Sequence, residues 1–296
     1  MNGIIVIDKP AGFTSFDVVA KLRGILRERR IGHGGTLDPM ATGVLPVFIG
    51  RATKAVDLLP LAQKSYTARV KLGIKTDTGD ITGSVTERCG ALVDFSLIEA
   101  AAREFVGETD QLPPMYSAVK VDGKKLYELA RKGKEVARAP RRIEIFSLRL
   151  YDFDAAAGEF SFDARCSKGT YIRALNEDML ARAGYVGTLC ALRRTASAGY
   201  TLADAVTIAE VESAAKAGSA EALLRGVETA FLQYGERVLD ENLARLFLSG
   251  FQFEAERAKV KDADGVLRLK DENGRFLGLG RRDGEKLVKV AHFLAD

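Results

Sequence analysis

The sequence predicts an α+β fold with a small β-rich module at its C-terminal end, and three observations carry that expectation. Strand-like and helical stretches alternate irregularly instead of in regular βαβ units, and hairpin-like neighbours such as 142–151 and 159–166 favour an α+β sheet. From about Gly235 the texture changes to short apolar runs punctuated by Gly265, Gly274, Gly278, Gly280 and Gly284, the pattern of a small all-β module. A chain of 296 residues, 47% of them apolar, is long enough for two packed domains.

Taken in order, Ile4, Ile5, Val6 and Ile7 form a short buried-strand candidate. Thr14-Ser15-Phe16-Asp17 resembles a capping box, which places a helix start near Ser15. Val18, Leu22, Ile25 and Leu26 then give that helix one apolar face. Arg23, Arg27 and Arg30 repeat at helical spacing as a separate basic stripe, consistent with a solvated face. Residues 44–49 read as a strand, and Tyr66, Ala68, Val70 and Leu72 alternate with polar neighbours as a half-buried one. Residues 96–105 look helical, with Gly107 just past the end. Phe160, Phe162, Ala164 and Cys166 alternate again, and a helix follows from about Ile172 to Ala183. The Ala/Glu-rich stretch 202–230 reads as helical and net acidic.

Several functional classes fall away. Apolar runs of about six residues fall far short of the roughly 20 that a membrane helix needs. The N-terminal apolar run is too short for a signal sequence. Three cysteines (Cys89, Cys166, Cys190) lie far apart with no C-x-x-C spacing, which suits a reducing cytoplasm. With His33 and His292 as the only histidines, a His/Cys metal cage has almost no ligands. Neither Gly32-x-Gly34 nor Gly278-x-Gly280 completes a dinucleotide fingerprint, and Gly123-Lys124-Lys125 lacks the rest of a phosphate loop, so no nucleotide cofactor is implied.

Charge is distributed unevenly. The whole chain is only mildly basic at +4, yet residues 120–149 hold ten Lys/Arg against four Asp/Glu. Residues 9–54 carry eight Lys/Arg against Asp17, Glu28 and Asp38. Within that second stretch lies the most unusual local sequence, Gly32-His33-Gly34-Gly35-Thr36-Leu37-Asp38-Pro39-Met40-Ala41-Thr42-Gly43. Asp38-Pro39 alone would read as an N-cap followed by proline at the first helical position. Its setting points elsewhere: a lone carboxylate in a basic, glycine-lined loop suits a polyanionic ligand with one reactive acid at its centre.

These residues resemble the TruB family of pseudouridine synthases. The resemblance runs through Asp8-Lys9-Pro10-x-Gly12-x-x-Ser15, Gly35-Thr36-Leu37-Asp38-Pro39-x-Ala41-Thr42-Gly43, Tyr66 and Thr76-Asp77-Thr78. It continues through Pro114-Met115-Tyr116-Ser117-Ala118, Gly123-Lys124-Lys125-Leu126-Tyr127, Cys166-Ser167-Lys168-Gly169-Thr170-Tyr171-Ile172-Arg173 and Leu192-Arg193-Arg194. It implies a catalytic domain over residues 1–235, built on a mixed, largely antiparallel sheet flanked by helices, with a basic T-loop-binding insertion at about 113–142. A PUA-like RNA-binding barrel is expected over 236–296.

The implied activity is isomerisation of uridine at position 55 in the T loop of tRNA, with no cofactor, by a cytoplasmic monomer that needs no protein partner. By the family pattern Asp38 is the catalytic carboxylate, Arg173 its partner, and Tyr66 stacks on the target base. Lys9, His33, Tyr171, Lys120, Lys124 and Lys125 are the substrate-binding candidates. Two other readings stay open: a non-catalytic RNA-binding or RNA-folding module, and a guide-RNA-dependent synthase subunit.

Overall fold

The computed structural model describes residues 1–60, 63–90, 92–121 and 123–293. The chain opens with β1 (Gly3–Lys9), α1 (Ser15–Leu26), β2 (Ile31–His33) and β3 (Thr42–Ile49). β4 (Lys64–Leu72) and the short strands β5 (Ile74–Thr76) and β6 (Val85–Arg88) lead into α2 (Phe95–Glu104) and β7 (Gly107–Gln111). Next come β8 (Lys120–Val121), β9 (Lys124–Lys125), α3 (Leu126–Ala130), β10 (Arg141–Asp154) and β11 (Glu159–Cys166). α4 (Ile172–Arg182), β12 (Gly187–Ser197), β13 (Tyr200–Thr201) and α5 (Ile208–Lys216) complete the first part. β14 (Gly235–Leu239), α6 (Glu241–Ser249), β15 (Phe253–Glu254), β16 (Val266–Asp271), β17 (Phe276–Asp283) and β18 (Lys286–His292) follow.

The principal sheet has the order β1-β3-β12-β4-β11-β10-β7, with β2 beside β3 and β13 beside β12. Its pairings are antiparallel except for β12 with β3, so the sheet is mixed and largely antiparallel as the family resemblance implies. Both faces of β1 are covered, which explains its unbroken apolar run. Ile5 and Ile7 point into the main core with Val18 and Leu22 of α1, and Ile4 and Val6 into a second cluster on the opposite face. The alternation in β4 has its expected meaning: Tyr66, Ala68, Val70 and Leu72 are all buried in the main core.

The capping box forms. Thr14 Oγ1 accepts from Asp17 N at 3.0 Å, and the Asp17 carboxylate accepts from Thr14 N at 2.8 Å. The basic stripe does not form. The helix stops at Leu26, Arg27 takes a left-handed conformation (φ 52°), and Arg23 donates to the Ile31 carbonyl at 3.1 Å. Arg30 lies beyond the helix, so the three arginines share no helical face. Residues 202–230 are also less helical than their composition suggests. One nine-residue helix, α5, is flanked by 3₁₀ turns at Leu202–Asp204, Ala220–Leu223 and Val227–Phe231. Gly218, at φ 73°, follows the end of α5 and stops it.

The C-terminal strands form a five-stranded sheet in the order β14-β16-β17-β18-β15. The expectation of an all-β module needs one correction, the helix α6. Asp240 caps it, Gly250 ends it at φ 84°, and Leu243, Ala244 and Phe247 are its buried face. Topology accounts for it: β14 and β16 run parallel, and a parallel pair needs a crossover that a tight turn cannot supply. This sheet packs on the reverse side of β1 and β3. Phe293 lies 5.6 Å from Phe231 and 5.9 Å from Phe276, ring centre to ring centre, in one cluster with Ile4, Val6 and Phe48. No helix of the described residues is long and apolar enough to cross a membrane.

Candidate active site

The loop between β2 and β3 does not become a helix. The Ala41 amide donates to the Asp38 carbonyl at 3.1 Å, closing a tight turn with Pro39 at its second position, where its fixed φ fits. Buried Leu37 anchors the approach: its amide donates to Ser15 Oγ at 2.8 Å. The Gly12 amide donates to the Pro39 carbonyl at 2.8 Å and holds the far side. Gly43 sits at φ 101°, and a Cβ there would lie 2.2 Å from the Arg194 carbonyl, so only glycine admits the β3–β12 contact. Asp38 is thus presented by a pinned turn.

Arg173 meets it from α4. Its Nε donates to one Asp38 oxygen at 2.8 Å and a terminal nitrogen to the other at 3.0 Å, a bidentate fork. The remaining donors go to the Thr78 carbonyl at 2.6 Å and the Tyr116 carbonyl at 2.9 Å. The Asp80 carboxylate stands 3.9 Å from Arg173 Nε. The Arg173 side chain is 4% exposed and that of Asp38 33%, so the cation is buried while the carboxylate faces an opening. A cation in the first turn of a helix opposes the helix dipole, a cost that the paired carboxylate offsets. Gln111 fixes the helix start by donating to the Tyr171 carbonyl at 3.1 Å and accepting from its amide at 2.8 Å.

Two fully buried cations brace the turn. Lys9 donates to the carbonyls of Pro10 (2.8 Å), Phe13 (2.6 Å) and Pro39 (3.3 Å). Arg194 donates to those of Val44 (2.7 Å), Thr36 (3.1 Å) and Gly35 (3.1 Å). Burial is the main force pushing the Lys9 ammonium down to about 8, opposed by Asp38 and assisted by Arg194. The folded chain gives up this proton near pH 8, while the unfolded chain keeps it to 10.5. The wild type is therefore expected to gain stability relative to Lys9→Met as pH rises between those values, and to show no such gain below them. Denaturant unfolding of both proteins at neutral pH and near pH 10 checks this, and a difference that does not vary with pH contradicts it.

Tyr66 lies opposite Arg194 in the β4–β12 register and Ala164 in β11, and burial holds its phenol above the ordinary value. It is a protonated, apolar wall at neutral pH. Burial, then Arg194 and Lys64, lower His33, so a neutral ring accepts from the Gly35 amide at 3.4 Å through Nδ1. Tyr171 occupies the N-cap position of α4, half-buried and without a side-chain cap bond. Lys120, Lys124 and Lys125 make no hydrogen bond or ion pair with Asp38 and belong to the excursion between β7 and β10. That excursion leaves the sheet where Gln111 pairs with Arg141, and Lys120 pairs with Lys125 within it. It reaches the site through Tyr116. The sequence pattern assigns no role to Arg194 or Gln111, and the one signal for Arg194 is its place in the Leu192-Arg193-Arg194 motif.

A profile of the TruB family pseudouridylate synthases (N-terminal domain) matches residues 23–172. The chain belongs to that family. It is 43% identical over 271 residues to the tRNA pseudouridine synthase B of Lactococcus lactis subsp. lactis, covering 89% of this chain and 80% of that one. It is 39% identical to the protein of the same name from Clostridium kluyveri, over 98% of this chain and 99% of that one. The Cupriavidus metallidurans protein of that name is 40% identical, covering 98% and 95%. Among solved structures, one chain of a Cbf5-Nop10-Gar1 complex superposes with a TM-score of 0.75 at 24% identity, covering 99% of this chain and 85% of that one. At that identity the likeness concerns the fold, and it extends over the C-terminal sheet.

Proposed function

We propose that this protein isomerises uridine to pseudouridine in tRNA, at position 55 of the T loop, without a metal or nucleotide cofactor. The observation that carries the proposal is the Asp38–Arg173 fork: a half-buried carboxylate on a pinned turn, oriented by a buried guanidinium. The reaction breaks the N1–C1′ bond of uridine and joins C5 to C1′. The C5 proton is lost and N1 gains one, so nothing is oxidised or imported. It needs an ionised carboxylate beside base and sugar, which is the role given to Asp38. Arg173 holds that carboxylate in place, Tyr66 offers a face to the base, and Tyr171, Lys9 and His33 shape the opening.

The target base must leave its stack to reach the turn. Lys120, Lys124 and Lys125 on the excursion over 113–142 would grip the flanking phosphates. Residues 236–296 would form a PUA-like domain that adds RNA contact to the catalytic domain at 1–235. We take the protein to act alone, as a monomer in the cytoplasm.

The test uses the purified protein and an unmodified full-length tRNA transcript, with pseudouridine mapped by carbodiimide adducts that stop primer extension. One stop at the T-loop position is expected, and RNA affinity should fall steeply with added salt as phosphate contacts release counterions. Product elsewhere, or product formed only with a guide RNA and partner proteins, overturns the proposal.

A further inference from the structure

We propose that Lys64 is a phosphate-binding residue: its ammonium receives a phosphodiester oxygen of the RNA strand that enters beside the catalytic turn. The inference deepens the function proposed above and rests on RNA being the substrate.

Lys64 is the first residue of β4, opposite Cys166 and Ser197 in the neighbouring strands. Its half-buried side chain reaches the backbone of the catalytic turn at Gly35, which sits at φ 141°. A Cβ on Gly35 would stand 3.4 Å from Lys64 Nζ and 3.6 Å from its Cε, so the missing side chain leaves the space that the lysine tip borders. The buried cations around the turn, Arg173, Lys9 and Arg194, are spent on the protein itself. Arg173 holds Asp38 and two carbonyls, Lys9 holds three carbonyls, and Arg194 holds three.

Among the described residues, no carboxylate and no hydrogen-bond acceptor meets the Lys64 ammonium. Its neighbours are unfavourable for a cation. Arg194 repels it, and the Cys166 thiol, pushed up to about 11 by burial, stays neutral and is no counter-ion. Burial and Arg194 together push Lys64 itself down to about 8, so much of it is still charged at neutral pH. A half-buried ammonium without a partner costs free energy in the free protein. An anion arriving with the substrate removes that cost, and RNA supplies one at every nucleotide. A lysine, a compact point charge, suits a single phosphate oxygen better than the patterned edge of a base.

The experiment compares wild type, Lys64→Gln and Lys64→Arg on one T-arm stem-loop. It measures Kd over a salt series, single-turnover rate at saturating RNA, and thermal unfolding. Lys64→Gln is expected to bind about tenfold more weakly, with the slope of log K against log salt shallower by about one, while the saturating rate changes little. Lys64→Arg should restore the slope. A wild-type slope in Lys64→Gln overturns the proposal, and so does a saturating rate that collapses while Kd and slope stay unchanged, which would place the amine in the chemistry instead. Should Lys64→Gln unfold, Lys64→Arg decides: a folded variant with a slope shallower by about one contradicts the assignment. The wild-type arm separates the two levels, because a wild type that forms no pseudouridine on this RNA removes the functional reading, not only the role of Lys64.

Discussion

Asp38→Asn is expected to lower the single-turnover rate by at least about a thousandfold, on the order of 4 kcal/mol, while RNA affinity stays within a few-fold of wild type. The side chain keeps its shape but loses the charge that the reaction requires. Folding should survive at reduced stability, because buried Arg173 loses its paired charge and keeps only Asp80 at 3.9 Å nearby. The turn is held by backbone bonds, by Ser15 and by Lys9, none of which uses the Asp38 carboxylate. RNA affinity should survive because the cations proposed to bind phosphate are elsewhere. The two readouts together matter: lost turnover with lost binding would mean that Asp38 supports the site and does not perform the chemistry.

The second large effect concerns Arg173. Arg173→Met should destabilise the protein by about 3–5 kcal/mol, because it leaves the Thr78 and Tyr116 carbonyls without their donor and Asp38 without its counter-charge. Arg173→Lys keeps the charge but cannot fill four bonds in one plane. It should fold with a smaller loss and turn over about a hundredfold more slowly, with Kd for RNA little changed. Denaturant unfolding and single-turnover kinetics on both variants give the comparison. A lysine variant with the wild-type rate would mean that the fork geometry is dispensable.

Much of this site is legible in the sequence, for identifiable reasons. The capping box at Thr14, the alternation of β4 and the glycine-rich turn are local patterns, and local patterns survive folding. Asp38 could be singled out because the one acid of a glycine-rich loop, in a stretch with eight Lys/Arg against three acids, is conspicuous before any fold is known. The failures came where a local pattern met a non-local demand. The periodicity of Arg23, Arg27 and Arg30 continued past a helix end that the left-handed Arg27 sets. The helix α6 was hidden among glycine turns, although Asp240 and Gly250 marked both of its ends, because the parallel pairing of β14 with β16 that requires a crossover is invisible in the chain. Arg194 escaped notice for the same reason. Its value lies in three carbonyls that adjoin it only after β3 and β12 pair.

The most direct test of the central claim follows tritium released from C5-labelled uridine in an isolated T-arm stem-loop. It uses purified wild type and Asp38→Asn in parallel, with chelator present and no cofactor, guide RNA or second protein. The account expects release approaching one tritium per RNA with the wild type and none above background with Asp38→Asn. Release by Asp38→Asn at a rate near that of the wild type would contradict it.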